Sequence, residues 1–278
     1  MLRATNRYPV MPNDYIHGFS QQEQQRLIRQ AEVLAPNVFD GWSLAPGERV
    51  LELGCGVGAE LKILHERWPD THFTGVDLNP SHLACARELL DPVIEAGAID
   101  LVQADATDLP FQAGSFDCVI TIWMLEHATA PDAVLSEARR VVRPGGRMIA
   151  TEVDNDTFQF EPDVPSIAAW WDLFNRFQAE QGGYPCIGRD LDKRMHGAGF
   201  RNVTCTCFPN VSSRHEPERK ETLLNYLEEL LLSGDEQLRA RGDIDDGMKR
   251  ALIEAFGKAR IRDNQHFRYM AYRVTGTA

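Results

Sequence analysis

Arg49-Val50-Leu51-Glu52-Leu53-Gly54-Cys55-Gly56-Val57-Gly58 reads as a buried strand that runs directly into a glycine-rich turn, and Gly58–Trp68 then carries a helix-length amphipathic pattern. Glycines in such a turn let the backbone approach a ligand closely, and the helix start behind them presents N–H groups with no intrahelical partner. Alone the run is ambiguous. Gly54-x-Gly56-x-x-Ala59 also fits the dinucleotide fingerprint, and a tight strand–helix turn with no ligand reads the same way.

Working outward, His72–Val76 and Ile99–Gln103 read as further buried strands, with Ser81–Glu95 as the helix between them. Phe116–Thr121 continues the sheet, Pro131–Val142 supplies another helix, and Arg147–Glu152 follows the turn Arg143-Pro144-Gly145-Gly146 as a fifth strand. Repeated strand–helix–strand units imply a doubly wound α/β fold, a mainly parallel sheet with helices on both faces. Upstream, Ser20 to Leu34 puts Leu27, Ile28, Ala31 and Leu34 on one face, with Ser20 as N-cap and Glu23 at the capping-box spacing. Downstream, Pro165–Gln181 is helical and aromatic-rich and stops at Gly182-Gly183. Gly188–Ala198, Glu216–Leu232 and Asp245–Lys258 read as helices, Arg201–Phe208 as a sixth strand, and Phe267–Val274 as the closing strand. Three segments follow: residues 1–45 as an N-terminal lid and helix, 46–160 as the ligand-binding core, and 161–278 as acceptor-side helices and last strands of the same domain.

The composition is that of a globular chain: 278 residues, 43% hydrophobic and 25% charged, which excludes disorder and small disulfide scaffolds. Lys and Arg number 29 against 41 Asp and Glu, and the net charge of −12 argues against nucleic acid or an anionic membrane as partner. Met1–Tyr15 has no apolar h-region, and no apolar run is long enough for a membrane helix, so no membrane insertion is expected. The six cysteines lack C-x-x-C pairs and histidines at zinc spacing; Cys205-Thr206-Cys207 is set aside as a metal pair, no metal is expected, and reduced thiols fit a cytoplasmic protein. A homo-oligomer stays open.

Two acids sharpen the reading of the turn. Asp77 ends the second strand about 23 residues after Gly54, where a carboxylate can take both hydroxyls of a ribose. Asp105 ends the third, where it can accept from the exocyclic amine of an adenine. Either acid alone is more often a strand-end cap, and the two together after a glycine turn reverse that balance.

On these residues the chain resembles the class I S-adenosylmethionine-dependent methyltransferases, and within them is similar to the ubiquinone/menaquinone biosynthesis (UbiE-like) C-methyltransferases and bacterial small-molecule tailoring methyltransferases. The likeness rests on Glu52–Gly58, Val76-Asp77, Ala104-Asp105-Ala106, Leu125-Glu126-His127 and Arg143–Gly146, in the family's order. It extends to Tyr15-Ile16-His17-Gly18-Phe19-Ser20 with Glu23, Arg26-Leu27 and Gln30, and to Gly182-Gly183 with Ile187-Gly188-Arg189. The resemblance implies a Rossmann-like seven-stranded sheet with an antiparallel last strand beside the fifth, plus an N-terminal helical lid and helical insertions. It implies S-adenosyl-L-methionine as cofactor, with Gly54, Cys55, Gly56 and Gly58 around its methionine part, Asp77 and Leu78 at the ribose, and Asp105 and Ala106 at the adenine. Thr121, Ile122 and Trp123 would face the transferred methyl, and Tyr15 and Arg26 would meet the cofactor from the N-terminal segment. Glu52 either orients the turn or meets the cofactor amine, or is a buried acid bonded to backbone.

The implied activity is in-line methyl transfer to a small-molecule acceptor, a natural product or metabolite, with His127, His17 or Glu152 as base if the acceptor must lose a proton. A nicotinamide-dependent oxidoreductase and a non-catalytic cofactor-binding protein are the alternatives. The Pro165–Gln181 aromatics read as core more readily than as a substrate platform. Tyr15–Leu34 reads as a lid over cofactor and acceptor, or else as a layer of the core.

Overall fold

The computed structural model describes residues 16–211 and 217–278. Seven strands form one sheet: β1 (Arg49–Leu53), β2 (His72–Asp77), β3 (Ile99–Gln103), β4 (Phe116–Ile122), β5 (Val142–Glu161), β6 (Arg201–Val211) and β7 (His266–Thr277), in the order β3-β2-β1-β4-β5-β7-β6. β1 to β5 run parallel, and β7 enters antiparallel between β5 and β6, with Ala150 opposite Val274. The order reverses at β1 and β4, so their carboxyl ends splay apart and leave the crevice in which open α/β sheets hold ligands. The doubly wound sheet and its antiparallel last strand match the expectation.

Strand alternation divides the core into two layers. Val50 of β1 and Cys118, Ile120 and Ile122 of β4 pack on one face under α1 (Gln21–Val38), α2 (Ala59–Arg67), α3 (Pro80–Glu95), α5 (Pro165–Glu180), α7 (Pro217–Ser233) and α9 (Asp246–Ile261). Leu51, Leu53 and Val119 pack on the other under α4 (Pro131–Val141) and α6 (Leu191–Gly197). Ser20 caps α1 as expected, its hydroxyl accepting from the Glu23 N–H at 3.1 Å. Glu23 does not close the capping box: its carboxylate is taken by Arg26.

β6 and β7 run about three residues past the sequence reading, and two departures are larger. β5 continues past Glu152 to Glu161 through a register shift between Asp154 and Gln159, where Asp154-Asn155-Asp156-Thr157 carries turn-type residues inside a strand. A short helix α8 (Asp235–Arg241) lies between α7 and α9, and Leu238 is its one buried residue. Cys205 and Cys207, two apart on β6, share one face and are exposed. Among the described residues no helix is long and apolar enough to cross a membrane.

Candidate functional site

A cavity of about 630 Å3 opens at the carboxyl ends of the central strands. Its floor is the β1–α2 turn. Gly54, Gly56 and Gly58 have φ of 71, 51 and 76°, a region L side chains avoid. A Cβ on Gly54 would lie 2.3 Å from Met124 Cγ, whereas one on Gly56 would meet nothing within 4 Å, because that position faces the open cavity. Gly58 is the N-cap of α2 and backs onto Leu90 and Ala86; it shapes the turn from behind and does not reach the cavity wall.

The two strand-end acids stand where the sequence placed them. Asp77 accepts from the Gly56 N–H (2.9 Å) with Oδ2 and from the Asn79 N–H (2.8 Å) with Oδ1, which ties the glycine turn to the end of β2. Asp105 accepts from the Thr107 N–H (2.8 Å) and hydroxyl (2.7 Å) with Oδ1. Both line the cavity, as do Cys55, Leu78, Ala106, Ile122 and Trp123. Trp123 takes a φ of 53°, uncommon for a bulky residue and a mark of a backbone held in place by its surroundings.

Several expected site residues sit elsewhere. Glu52 is buried in β1 off the wall; burial, Glu60 and Asp77 push its carboxyl well above the usual range, and its Oε2 has no hydrogen-bond partner. Glu60, in the first turn of α2, is the acid that reaches the cavity there, its pKa pushed up to about 7 by burial. Thr121 is fully buried behind the wall. Glu152 is not placed to act as a base: it is fully buried off the cavity, and its carboxylate accepts from the N–H groups of Met124 (3.1 Å), Leu125 (2.7 Å) and Glu126 (3.3 Å). That bonding anchors the loop after β4, the loop that carries Trp123 and His127. Tyr15 lies outside the described residues.

The other half of the cavity is aromatic. Trp171, Phe174 and Gln178, spaced along one stripe of α5, face the cavity, while Trp170 and Phe177 turn to the core. The aromatic segment is therefore both core and cavity wall. Leu230 and Tyr226 of α7 and Tyr269 of β7 complete the chamber, with the two tyrosine hydroxyls 2.7 Å apart and burial pushing the Tyr226 phenol up to about 12.

His17 and His127 meet edge to face, ring centroids 5.4 Å apart. Burial first, then the nearby Arg26, hold His127 down to about 3, and burial, Arg26 and His127 hold His17 well below its ordinary value, so both imidazoles are neutral at physiological pH. Beside them burial raises Glu126 to about 7. Arg26 is on the wall as expected, but its guanidinium is bonded to both Glu23 oxygens (2.7 and 2.6 Å) and to Gln30 Oε1 (2.6 Å).

Glu60, His82, Glu126, Gln178, Tyr226 and Tyr269 were not expected at the site. The α5 stripe is the signal that could have found Gln178, and the Leu125-Glu126-His127 motif the one that could have found Glu126. Among the described residues, Asp154, Asp156 and Cys186 form the one cluster with metal-like spacing, and Arg189 is paired to both of its acids.

Comparison with known proteins agrees with this geometry. Residues 51–150 match the family model described as a methyltransferase domain. An uncharacterized 37.1 kDa protein in transposon TN4556 of Streptomyces fradiae is 33% identical over 63% of this chain, and the chain spans 49% of its length. The O-methyltransferase rstn1 of Aspergillus nomiae is 27% identical, over 74% of this chain and 91% of that protein. The ubiquinone/menaquinone biosynthesis C-methyltransferase of Pseudomonas fluorescens is 36% identical over 57% of this chain and 67% of its own. In structure, the phosphoethanolamine N-methyltransferase 2 of Haemonchus contortus, solved with phosphomonomethylethanolamine and S-adenosylhomocysteine, superposes with a TM-score of 0.58 at 16% identity, covering 94% of this chain and 60% of that one.

Proposed function

The chain belongs to the class I S-adenosylmethionine-dependent methyltransferases, and from that premise we propose that it methylates an uncharged, largely apolar small molecule carrying a hydroxyl group. The carrying observation is one cavity with two unlike halves: a glycine turn with Asp77 and Asp105 on one side, an aromatic chamber with His17 and His127 on the other.

The first half fits the cofactor. The open face at Gly56 leaves room for the methionine part beside Gly54 and Cys55, and Asp77 with Leu78 stands at the ribose. The Asp105 oxygen not bonded to Thr107, with Ala106, suits the adenine amine. When bound, the cofactor supplies a methyl carbon activated by its sulfonium, so the protein's task is to align the acceptor and exclude water. Trp123 and Ile122 stand between the halves to set that alignment, and Glu52 and Gly58 support the turn without touching the ligand.

Charge selects the acceptor class. Arg26 is the one Lys or Arg among the described cavity residues, and Glu23 is paired with it, so an anionic acceptor finds no matching counter-charge. Aromatic walls favour a planar or extended apolar body. The segment from Ile16 to α1 crosses the mouth as a lid: Phe19 packs on His82 at 5.3 Å and Gln24 reaches the Ser81 carbonyl on the cofactor side, while Arg29 pairs with Glu229 on the acceptor side. The division into lid (1–45), core (46–160) and acceptor-side segment (161–278) follows these roles. The acidic charge weighs against nucleic acid as substrate, and free cysteines suit a cytoplasmic enzyme. The test is calorimetry with S-adenosylhomocysteine followed by transfer of labelled methyl to neutral dihydroxybenzenes and to their monophosphates, which keep one free hydroxyl. Transfer to the neutral compounds supports the reading, and preference for the phosphorylated ones overturns it.

A further inference from the structure

Among the described residues four acids line the cavity, and three of them are engaged. Asp77 accepts N–H groups on both oxygens, Asp105 accepts from the Thr107 N–H and hydroxyl, and Glu126 Oε2 lies 3.1 Å from the Gln178 amide nitrogen. Glu60 is different. No other described residue donates to its carboxylate or pairs with it, and its own backbone N–H alone steadies the charge. Glu52 Oε2 is sealed away without a partner, whereas Glu60 stays partly accessible on the cavity wall.

The fold explains why this acid reaches the cavity. Glu60 is the second residue of α2, just inside the Gly58 N-cap, and side chains on a helix lean toward its N-terminus, which here is the glycine turn. The groups around it add no positive charge. Glu52 of β1 and the Cys55 thiol stand close enough for the Glu60 charge to push both upward, and Asp77 acts on them in the same direction. Arg26, the one Lys or Arg on the described wall, is bonded to Glu23 and Gln30. An enclosed carboxylate with no counter-ion is costly to ionise, and burial accordingly pushes Glu60 up to about 7.

We propose that Glu60 is the counter-ion for the ammonium group on the methionine part of the cofactor. The inference rests on the methyl-transfer reading and deepens it, because it names the side chain that fixes the end of the cofactor remote from the adenine. S-adenosylmethionine brings two cationic centres, an ammonium and a sulfonium. The ammonium offers three N–H donors and the sulfonium none, so a carboxylate with unused acceptor capacity selects the ammonium. Asp77 is already occupied on both oxygens, and Glu52 lies behind the wall. Of the acids around the turn, Glu60 is therefore the one that meets the amine, while Glu52 supports the turn from behind. Asp105 at the adenine and Glu60 at the amine then hold the two ends of the cofactor, and the reacting methyl lies between them.

The experiment is calorimetry on the full chain with two ligands: S-adenosylhomocysteine, which keeps the ammonium and lacks the sulfonium, and the same thioether with hydrogen in place of the amino group. The wild type is expected to bind the aminated ligand tighter by about tenfold or more, and Glu60→Gln to bring that ratio to within about threefold. Because the ratio is taken within one variant, a general loss of stability or of cavity shape cancels. A thermal melt without ligand adds a second readout: Glu60→Gln removes an uncompensated charge and should melt no lower than the wild type. Glu52→Gln should change the two affinities alike. Equal binding of the two ligands by the wild type, or a ratio that survives Glu60→Gln, overturns the inference, as does a ratio that collapses in Glu52→Gln and not in Glu60→Gln. A wild type that binds neither ligand instead strikes the methyl-transfer reading beneath.

Discussion

Glu152 looks chemically like a base and is held like a structural anchor, and replacing it distinguishes the two roles. Its carboxylate accepts three backbone N–H groups, from Met124, Leu125 and Glu126, at 3.1, 2.7 and 3.3 Å, and the residue is fully buried. Glu152→Ala leaves those donors with no protein acceptor. An orphaned buried donor costs about 1–3 kcal/mol, and the 3.3 Å bond is the weakest of the three, so the loss should be about 3–6 kcal/mol. That is a large share of the roughly 5–15 kcal/mol that holds a domain together. Glu152→Gln keeps one carbonyl oxygen on the loop but turns an NH2 group toward a donor, so it should lie between the two. Urea denaturation, with near-ultraviolet dichroism to follow Trp123, reads the stability directly. Full stability of Glu152→Ala combined with loss of turnover would refute the reasoning and restore Glu152 as a base.

Asp77→Asn should weaken S-adenosylhomocysteine binding by about tenfold or more, because a charge-assisted bond is worth about 1.5–3 kcal/mol, and the glycine turn should loosen along with it. Unchanged affinity by calorimetry would remove Asp77 from the site. His127 sits at about 3 in the folded protein against 6.5 when exposed, so the stability it contributes is present above pH 6.5 and is lost as pH falls toward 3. His127→Gln should accordingly gain about 2 kcal/mol relative to wild type between pH 6.5 and 5 in urea melts; a pH-independent difference would show that the ring is not held neutral by burial. Glu126, raised to about 7 from 4.5, has the opposite sign: its contribution is lost as pH rises through 7, so Glu126→Gln should gain about 3 kcal/mol relative to wild type between pH 4.5 and 7. Hydrogen exchange should show residues 16–30 gaining protection when S-adenosylhomocysteine binds, and full protection in the unliganded protein would make this segment a core layer instead of a lid.

The half of the cavity that we propose for the cofactor was legible as a cluster because it is local. Positive-φ glycines, strand ends and the acids after them lie within short stretches whose spacing carries their geometry, and Gly54, Gly56, Asp77 and Asp105 stand together on one wall. The acceptor half was not, because it is assembled from distant parts of the chain. Gln178 reaches Glu126 and His127 only because α5 folds back over the loop after β4, and His17 meets Ser233 across 216 residues. Residue type alone also misled. Glu152 has the right chemistry for a base, and only the three N–H groups that point at it show that it is engaged. In the fold, the continuation of β5 was hidden because Asp154–Thr157 reads as a turn, and α8 because one buried leucine leaves no periodic pattern.

The most direct measurement is the calorimetric affinity of S-adenosylhomocysteine for the wild type and for Gly56→Val, with a circular dichroism melt to establish that the variant is folded. A Cβ at Gly56 meets nothing in the protein, so the branched side chain would project into the open cavity, on a backbone with φ of 51° that valine resists. Tight binding to the wild type and none to the folded variant is the predicted result. Near-equal affinity in a folded Gly56→Val protein would mean that the cofactor binds elsewhere and that the cavity is not the methyl-transfer site.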